Sequence, residues 1–148
     1  MTLKPMLAGM MLLVTAACGV TADGPPEITV DRTACSHCGM LISEPLYAAA
    51  YRAPEAEGRV FDDIGCLLAA ARGEAGTGLR FWFHDASGGG WIDGAEASFV
   101  TSAEIRTPMG GGLIAYRDPA AAADAARRLH GEVVGPLDAL LTRKGGTR

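Results

Sequence analysis

The sequence has no apolar run long enough to cross a bilayer and no cluster of basic residues that suits nucleic acid. The apolar run at the N-terminus covers twelve residues, 6–17, whereas a spanning helix needs about 20. The net charge is −4, and the short basic run lies in the polar tail at 142–148, so we expect no nucleic-acid partner. Glycine clusters are not followed by Lys and Ser or Thr, which argues against a P-loop.

The N-terminus has the pattern of an exported protein. Lys4 precedes the apolar run, as in a secretory signal peptide, and the small pair Ala16-Ala17 stands directly before Cys18, as in a bacterial lipobox. We therefore predict a lipoprotein signal peptide at 1–17, lipidation of Cys18 and a flexible tether at 18–31. Acyl chains would hold the protein on the periplasmic side of a membrane. The absence of Asp after Cys18 favours the outer membrane. The alternative is an ordinary signal peptide with an incidental cysteine.

The rest of the chain predicts an α+β fold of two small, similar ββαβ halves packed together, at 32–90 and 91–141. Each half has two strands, an Ala-rich helix and a further extended segment, and in each an aromatic-x-Asp sequence precedes the helix. The predicted strands are 46–52, 58–62, 79–84, 98–106 and 112–117, and the predicted helices are 63–72 and 119–130. A single α+β domain without internal symmetry is the alternative.

Helix-terminal signals support these boundaries. Asp118-Pro119 has a capping residue followed by proline at the first helical position, and Gly131 is a plausible stop. Asp62 or Asp63 is expected to cap the first helix. Alternating residues at 79–84 indicate a half-buried strand.

The stretch Cys35-Ser36-His37-Cys38-Gly39-Met40 concentrates sulfur in six residues. A Cys35–Cys38 disulfide is one interpretation in an oxidising compartment. A structural zinc site is another, although no second CxxC pair accompanies it. A thioredoxin-type redox pair needs a thiol at a helix N-terminus, and Gly39 and Pro45 interrupt any helix here.

The methionines near these motifs favour a softer metal ion than zinc. Thiolate and thioether ligands select Cu(I), and in an extended segment the side chains of Cys38 and Met40 would point to one side. Met109 follows Pro108 and precedes three glycines, which predicts an exposed loop. A methionine that fills a gap in the core from a turn remains the alternative.

Three motifs together resemble the NosL family, and they lie in the right order behind the lipobox. They are Cys35-x-x-Cys38-Gly39-Met40, Phe61-Asp62-Asp63-Ile64-Gly65-Cys66-Leu67 and Thr107-Pro108-Met109-Gly110. The resemblance implies a non-enzymatic, lipid-anchored Cu(I) chaperone on the periplasmic side of a bacterial membrane. Its partners would be metal-free nitrous oxide reductase and the membrane ABC-type complex that matures that enzyme.

The resemblance also implies a ligand set. Carried onto this chain, the ligands are Cys38, Met40 and Met109, with Cys35 as a further candidate. His37 is either an additional ligand or a solvent-facing side chain, and Cys66 is expected to be a buried, inert thiol of the first helix. The rival interpretation is a thiol–disulfide oxidoreductase, or a zinc- or organometal-handling protein, that uses Cys35, Cys38 and Cys66.

Overall fold

The computed structural model describes residues 24–74 and 78–142, and they form two antiparallel sheets with helices packed against them. The strands of this part of the chain are β1 (Ala49–Arg52), β2 (Arg59–Phe61), β3 (Arg80–His84), β4 (Trp91–Asp93), β5 (Ser98–Thr101), β6 (Leu113–Tyr116) and β7 (Glu132–Val134). Its helices are α1 (Ile64–Arg72), α2 (Pro119–Arg128) and α3 (Leu137–Thr142).

The strand orders repeat between the sheets. The first sheet has the order β2-β1-β3-β4 and the second the order β6-β5-β7. In each sheet, the first two strands along the chain form an antiparallel pair, a helix follows, and the next strand pairs with the other side of the first strand. The predicted α+β fold of two similar halves is confirmed.

One hydrophobic core joins the two sheets. The side chains of this core come from strands of both halves and from α1. They include Tyr51, Phe61, Leu67, Phe83, Phe99 and Leu113. The rings of Phe83 and Phe99 meet edge to face with centroids 4.9 Å apart, a favoured aromatic geometry. A backbone hydrogen bond of 2.8 Å, from Ala86 N to Ala115 O, also links the halves.

The outer faces of both sheets are covered as well. Helix α2 packs its alanines against Val100, Ile114 and Tyr116 of the second sheet. The N-terminal segment covers the outer face of the first sheet, where Ile28 packs against the group that contains Trp82. The prediction of a half-buried strand at 79–84 is therefore wrong, because neighbouring residues of β3 are buried on both faces.

The prediction of a flexible tether at 18–31 is wrong for its last residues, 28–31. Ile28 contacts the buried group on the first sheet, and Asp31 N donates to Ile42 O at 2.9 Å. Residues 28–31 thus belong to the folded part. The predicted signal peptide, Cys18, the first part of the tether and the tail from 143 lie outside the described residues.

Several boundaries differ from those expected. Pro45–Tyr47 forms a short 3-10 turn, so the first strand begins at Ala49 and not at 46. Strand β4 was not predicted; it pairs with β3 and so extends the first sheet beyond residue 90. Helix α3 was also not predicted, and Arg72 of α1 donates to the carbonyl oxygens of Leu140 and Leu141.

No helix in the described ranges, 24–74 and 78–142, is long and apolar enough to span a membrane.

Candidate metal centre

The CxxCGM stretch folds as a compact loop. Ala34 and Leu41 form an antiparallel bridge at its base, and inside it Cys35 N donates to Met40 O at 2.7 Å. Gly39 has φ of +78°, a left-handed conformation that favours glycine. The expected extended geometry of Cys38 and Met40 is therefore wrong. The chain reverses direction between Cys35 and Met40, and Cys38 lies within that turn.

Strand β2 holds this loop in place. Ser36 N donates to Val60 O at 2.8 Å, and Val60 N donates to Ser36 Oγ at 3.3 Å. Arg59 adds a bond of 3.2 Å to Ser36 O. Because β2 ends at Phe61, the loop lies beside the two aspartates that follow it.

Three thiols and one carboxylate converge where the loop meets α1. The Sγ atoms of Cys35, Cys38 and Cys66 and a carboxylate oxygen of Asp62 all lie within 4.8 Å of one another. We call these four residues the thiol cluster. The Cys38 thiol donates to the two oxygens of Asp62 at 3.5 and 3.7 Å. All three cysteines are free, so the structure contains no Cys35–Cys38 disulfide.

Burial makes two of these thiols, Cys38 and Cys66, poorer acids by raising their pKa values. It raises the pKa of Cys66 strongly, and the neighbouring Cys35, Asp62 and Cys38 add to that effect. Burial also raises the pKa of Cys38, with further increases from Cys35 and Asp62, although a hydrogen bond from the backbone of Met40 opposes them. Reactive redox cysteines have lowered pKa values. The thiols of Cys38 and Cys66 therefore hold their protons more tightly than ordinary cysteines, and a metal ion must displace those protons to bind there.

Asp63 connects the thiol cluster to the second half of the molecule. Its carboxylate accepts from Gly65 N at 2.5 Å, which caps α1. It also accepts from Met109 N at 3.2 Å and from the Thr107 hydroxyl. The glycine loop that carries Met109 is therefore held against the N-terminus of α1, next to Asp62.

The predicted ligands lie at different depths. Cys35 is 3% exposed and Cys38 partly exposed, whereas Met40 and Met109 are 44% and 49% exposed. Met40 belongs to the loop of Cys38, and Met109 to the loop bound by Asp63, so their exposed thioethers would give the thiol cluster a soft, open rim. The identity of the ligands stays a prediction. His37 is exposed and lies outside the thiol cluster.

Two members of the thiol cluster were not predicted as site residues. Asp62 or Asp63 was expected to cap the helix, and it is Asp63 that caps α1. Cys66 is buried as expected, but it faces two other thiols. Asp62 lies just before the N-cap of α1 and Cys66 in its first turn, and both face the CxxCGM loop.

Comparisons with known proteins agree with this architecture. The sequence profile of the NosL family matches residues 26–139. The crystal structure of the copper chaperone NosL from Shewanella denitrificans superposes with a TM-score of 0.64 at 17% identity, and covers 78% of this chain and 95% of that chain. At that identity the likeness shows the fold. No curated protein matches the sequence. With three-quarters of its length matched by the profile, the chain belongs to the NosL family.

Proposed function

We propose that this protein is a copper chaperone that binds Cu(I) at the rim of the thiol cluster and passes the ion to an acceptor. The observation that carries the proposal is the convergence of three free thiols. The exposed methionines support it, since Met40 belongs to the loop of Cys38 and Met109 to the loop bound by Asp63. Membership of the NosL family supports it, as does the fold shared with a protein described as a copper chaperone.

The chemistry of the rim suits Cu(I). Soft sulfur ligands select Cu(I) over harder ions. A Cys38 thiolate would neutralise the single positive charge, and the thioethers of Met40 and Met109 would add affinity without adding charge. Cys35 is the further candidate from the same loop. Because both methionines are exposed, an acceptor ligand can reach the ion before the donor ligands leave.

The cellular setting is part of the proposal. We infer that Cys18 carries the lipid anchor and that the protein works on the periplasmic side of a bacterial membrane, most favourably the outer membrane. The lipobox-like residues before Cys18 support this. The client would be metal-free nitrous oxide reductase, with its membrane ABC-type maturation complex as a second partner, as the family resemblance implies.

Copper transfer tests this function directly. The Cu(I)-loaded protein is mixed anaerobically with metal-free nitrous oxide reductase, and recovery of the enzyme's copper absorption is followed. We expect faster reconstitution from the loaded protein than from a small Cu(I) complex of equal affinity, and a slower rate with Met109→Leu. Equal rates from the protein and the small complex would contradict a chaperone role.

One observation favours a second candidate function. With Asp62, the three cysteines provide four potential ligands, which is the number that a closed tetrahedral zinc site requires. The same thiols serve the rival organometal-handling or thiol–disulfide interpretation. Those functions should tolerate Met40→Leu and Met109→Leu, because neither needs a thioether. Retained zinc affinity with no measurable preference for Cu(I) would favour them.

A further inference from the structure

The thiols of the cluster lie at two depths, and a copper site at the rim leaves the buried thiol of Cys66 without a role. Cys35 and Cys66 are each 3% exposed, while Cys38 reaches the surface. We propose that Cys35, Cys66 and Cys38 form a second, deeper position for a soft d10 metal ion, beneath the rim. The rim position rests on the proposed function, whereas the deeper position rests on the thiol cluster alone.

The spacing of the sulfurs suits such an ion. A thiolate sulfur lies about 2.3 Å from a bound Zn²⁺, so three sulfurs arranged in a plane around a similar ion would be roughly 4 Å apart. The three Sγ atoms already lie within 4.8 Å of one another. These separations exceed those of a closed three-sulfur site by less than about 1 Å.

The backbone around the deeper position is fixed on both sides. Cys35 is held by its own N–H bond to Met40 O and by the bond that Gly39 N donates to Cys35 O. Cys66 lies in the first turns of α1, whose start is capped by Asp63. Both supports adjoin the end of β2, since Ser36 is bonded to Val60 and α1 begins three residues after Phe61. This preorganisation is what metal sites require of their supporting residues.

Asp62 acts on the third thiol. Its carboxylate is 2% exposed and accepts the hydrogen bond from Cys38 Sγ. That bond keeps Cys38 turned toward the buried thiols when no metal is bound. Partners of this kind, which orient a ligand without binding the ion, commonly affect metal affinity. Asp62 is therefore a positioning residue for the deeper site.

The two positions share Cys38, and this suggests how an ion moves between them. With Cys38 bound throughout, the ion can exchange a rim thioether for the sulfur of Cys35 or Cys66. Each thiol that binds loses its S–H proton to solvent, and an S–metal bond replaces the S–H bond. An ion in the deeper position is shielded from solvent, and one at the rim is accessible to an acceptor.

Cadmium distinguishes thiolates from thioethers and is the probe for the test. Thiolate-to-Cd²⁺ charge transfer absorbs in the ultraviolet, with an intensity that follows the number of bound thiolates. The protein is the reduced chain beginning at Gly19, which keeps every described residue. At one equivalent of Cd²⁺ we expect the intensity of three thiolates. Cys66→Ala should lower it by about one third, since one of three soft ligands is lost.

Two further variants complete the design. Cys35→Ala should give the same loss, and because Cys35 lies outside α1 it decides the result if Cys66→Ala does not fold. Met109→Leu is the matched control and should leave the absorption unchanged. An unchanged intensity in the cysteine variants, or a native intensity of one or two thiolates, would overturn the deeper site. Failure of the proposed function can be told apart from failure of the deeper site. If only the proposed function fails, Met109→Leu leaves the Cu(I) affinity unchanged, while Cd²⁺ still gives the absorption of three thiolates.

Discussion

At the scale of single residues, Asp63 links fold and site more than any other side chain in the described ranges. It is fully buried, and its three hydrogen-bond partners lie in α1 and in the Met109 loop. A carboxylate can accept several bonds at once, so one side chain both starts a helix and fixes the loop of the other half. The sequence indicated a capping aspartate. The bonds that Asp63 accepts from Thr107 and Met109, which lie more than forty positions away along the chain, depend on tertiary structure.

Asp63→Ala is expected to destabilise the protein by about 2–4 kcal/mol, since it removes a helix cap and leaves the Thr107 hydroxyl buried without its partner. Asp118→Ala is the control. Asp118 caps α2 through Ala120 N alone and is exposed, so its loss should cost about 1 kcal/mol. Urea unfolding of both variants measures the difference, and equal losses would contradict the linking role of Asp63.

At the scale of elements, α1 and α2 were predicted closely, whereas α3 and the connections were not. Capping aspartates and an alanine-rich pattern mark both α1 and α2 in the sequence. The end of α2 differs: His130 takes the left-handed position with φ of +46°, and not Gly131. Glycine is needed there for another reason, because a Cβ at Gly131 would lie 2.3 Å from Thr101 O. Such a close approach between distant segments has no local sequence signal.

The glycine loop after Met109 offers a second test at this scale. Gly110 and Gly112 both have positive φ, of +69° and +60°, but only a Cβ at Gly112 would collide with backbone, 2.6 Å from Ser102 O. We expect Gly110→Ala to cost about 1 kcal/mol from conformation alone. Gly112→Ala should cost at least about 2 kcal/mol, since a steric clash is added. Thermal unfolding compares them, and a smaller loss for Gly112→Ala would argue against the observed packing.

At the scale of the whole molecule, the two halves share one core, so neither half is expected to fold alone. The repeated strand order was predictable because the two halves repeat an aromatic-x-Asp pattern before each helix. The site was only partly predictable. The CxxCGM and PMG motifs indicated sulfur ligands. The arrangement of Cys66 and Asp62 around the two cysteines of the CxxCGM loop depends on how that loop packs against β2 and α1.

The shared core predicts a single unfolding transition. Both tryptophans, Trp82 and Trp91, lie in the first sheet, so their fluorescence reports on the first half, whereas circular dichroism reports on both. The two urea curves should coincide, as two-state unfolding requires. Phe99→Ala in the second sheet should lower the free energy of unfolding obtained from the fluorescence curve by about 3–5 kcal/mol, since it leaves a large cavity in the shared core. Separate transitions would contradict a common core.

The copper site is tested most sharply by an anaerobic Cu(I) titration of the reduced chain from Gly19, in competition with a chromophoric Cu(I) chelator. The native protein is compared with Met40→Leu and Met109→Leu, which keep size and apolar character but lose the thioether. We expect tight binding near one equivalent, weakened by either substitution. Weak binding by the native protein, or binding that neither substitution affects, would contradict a thiolate–thioether copper site and the chaperone function proposed from it.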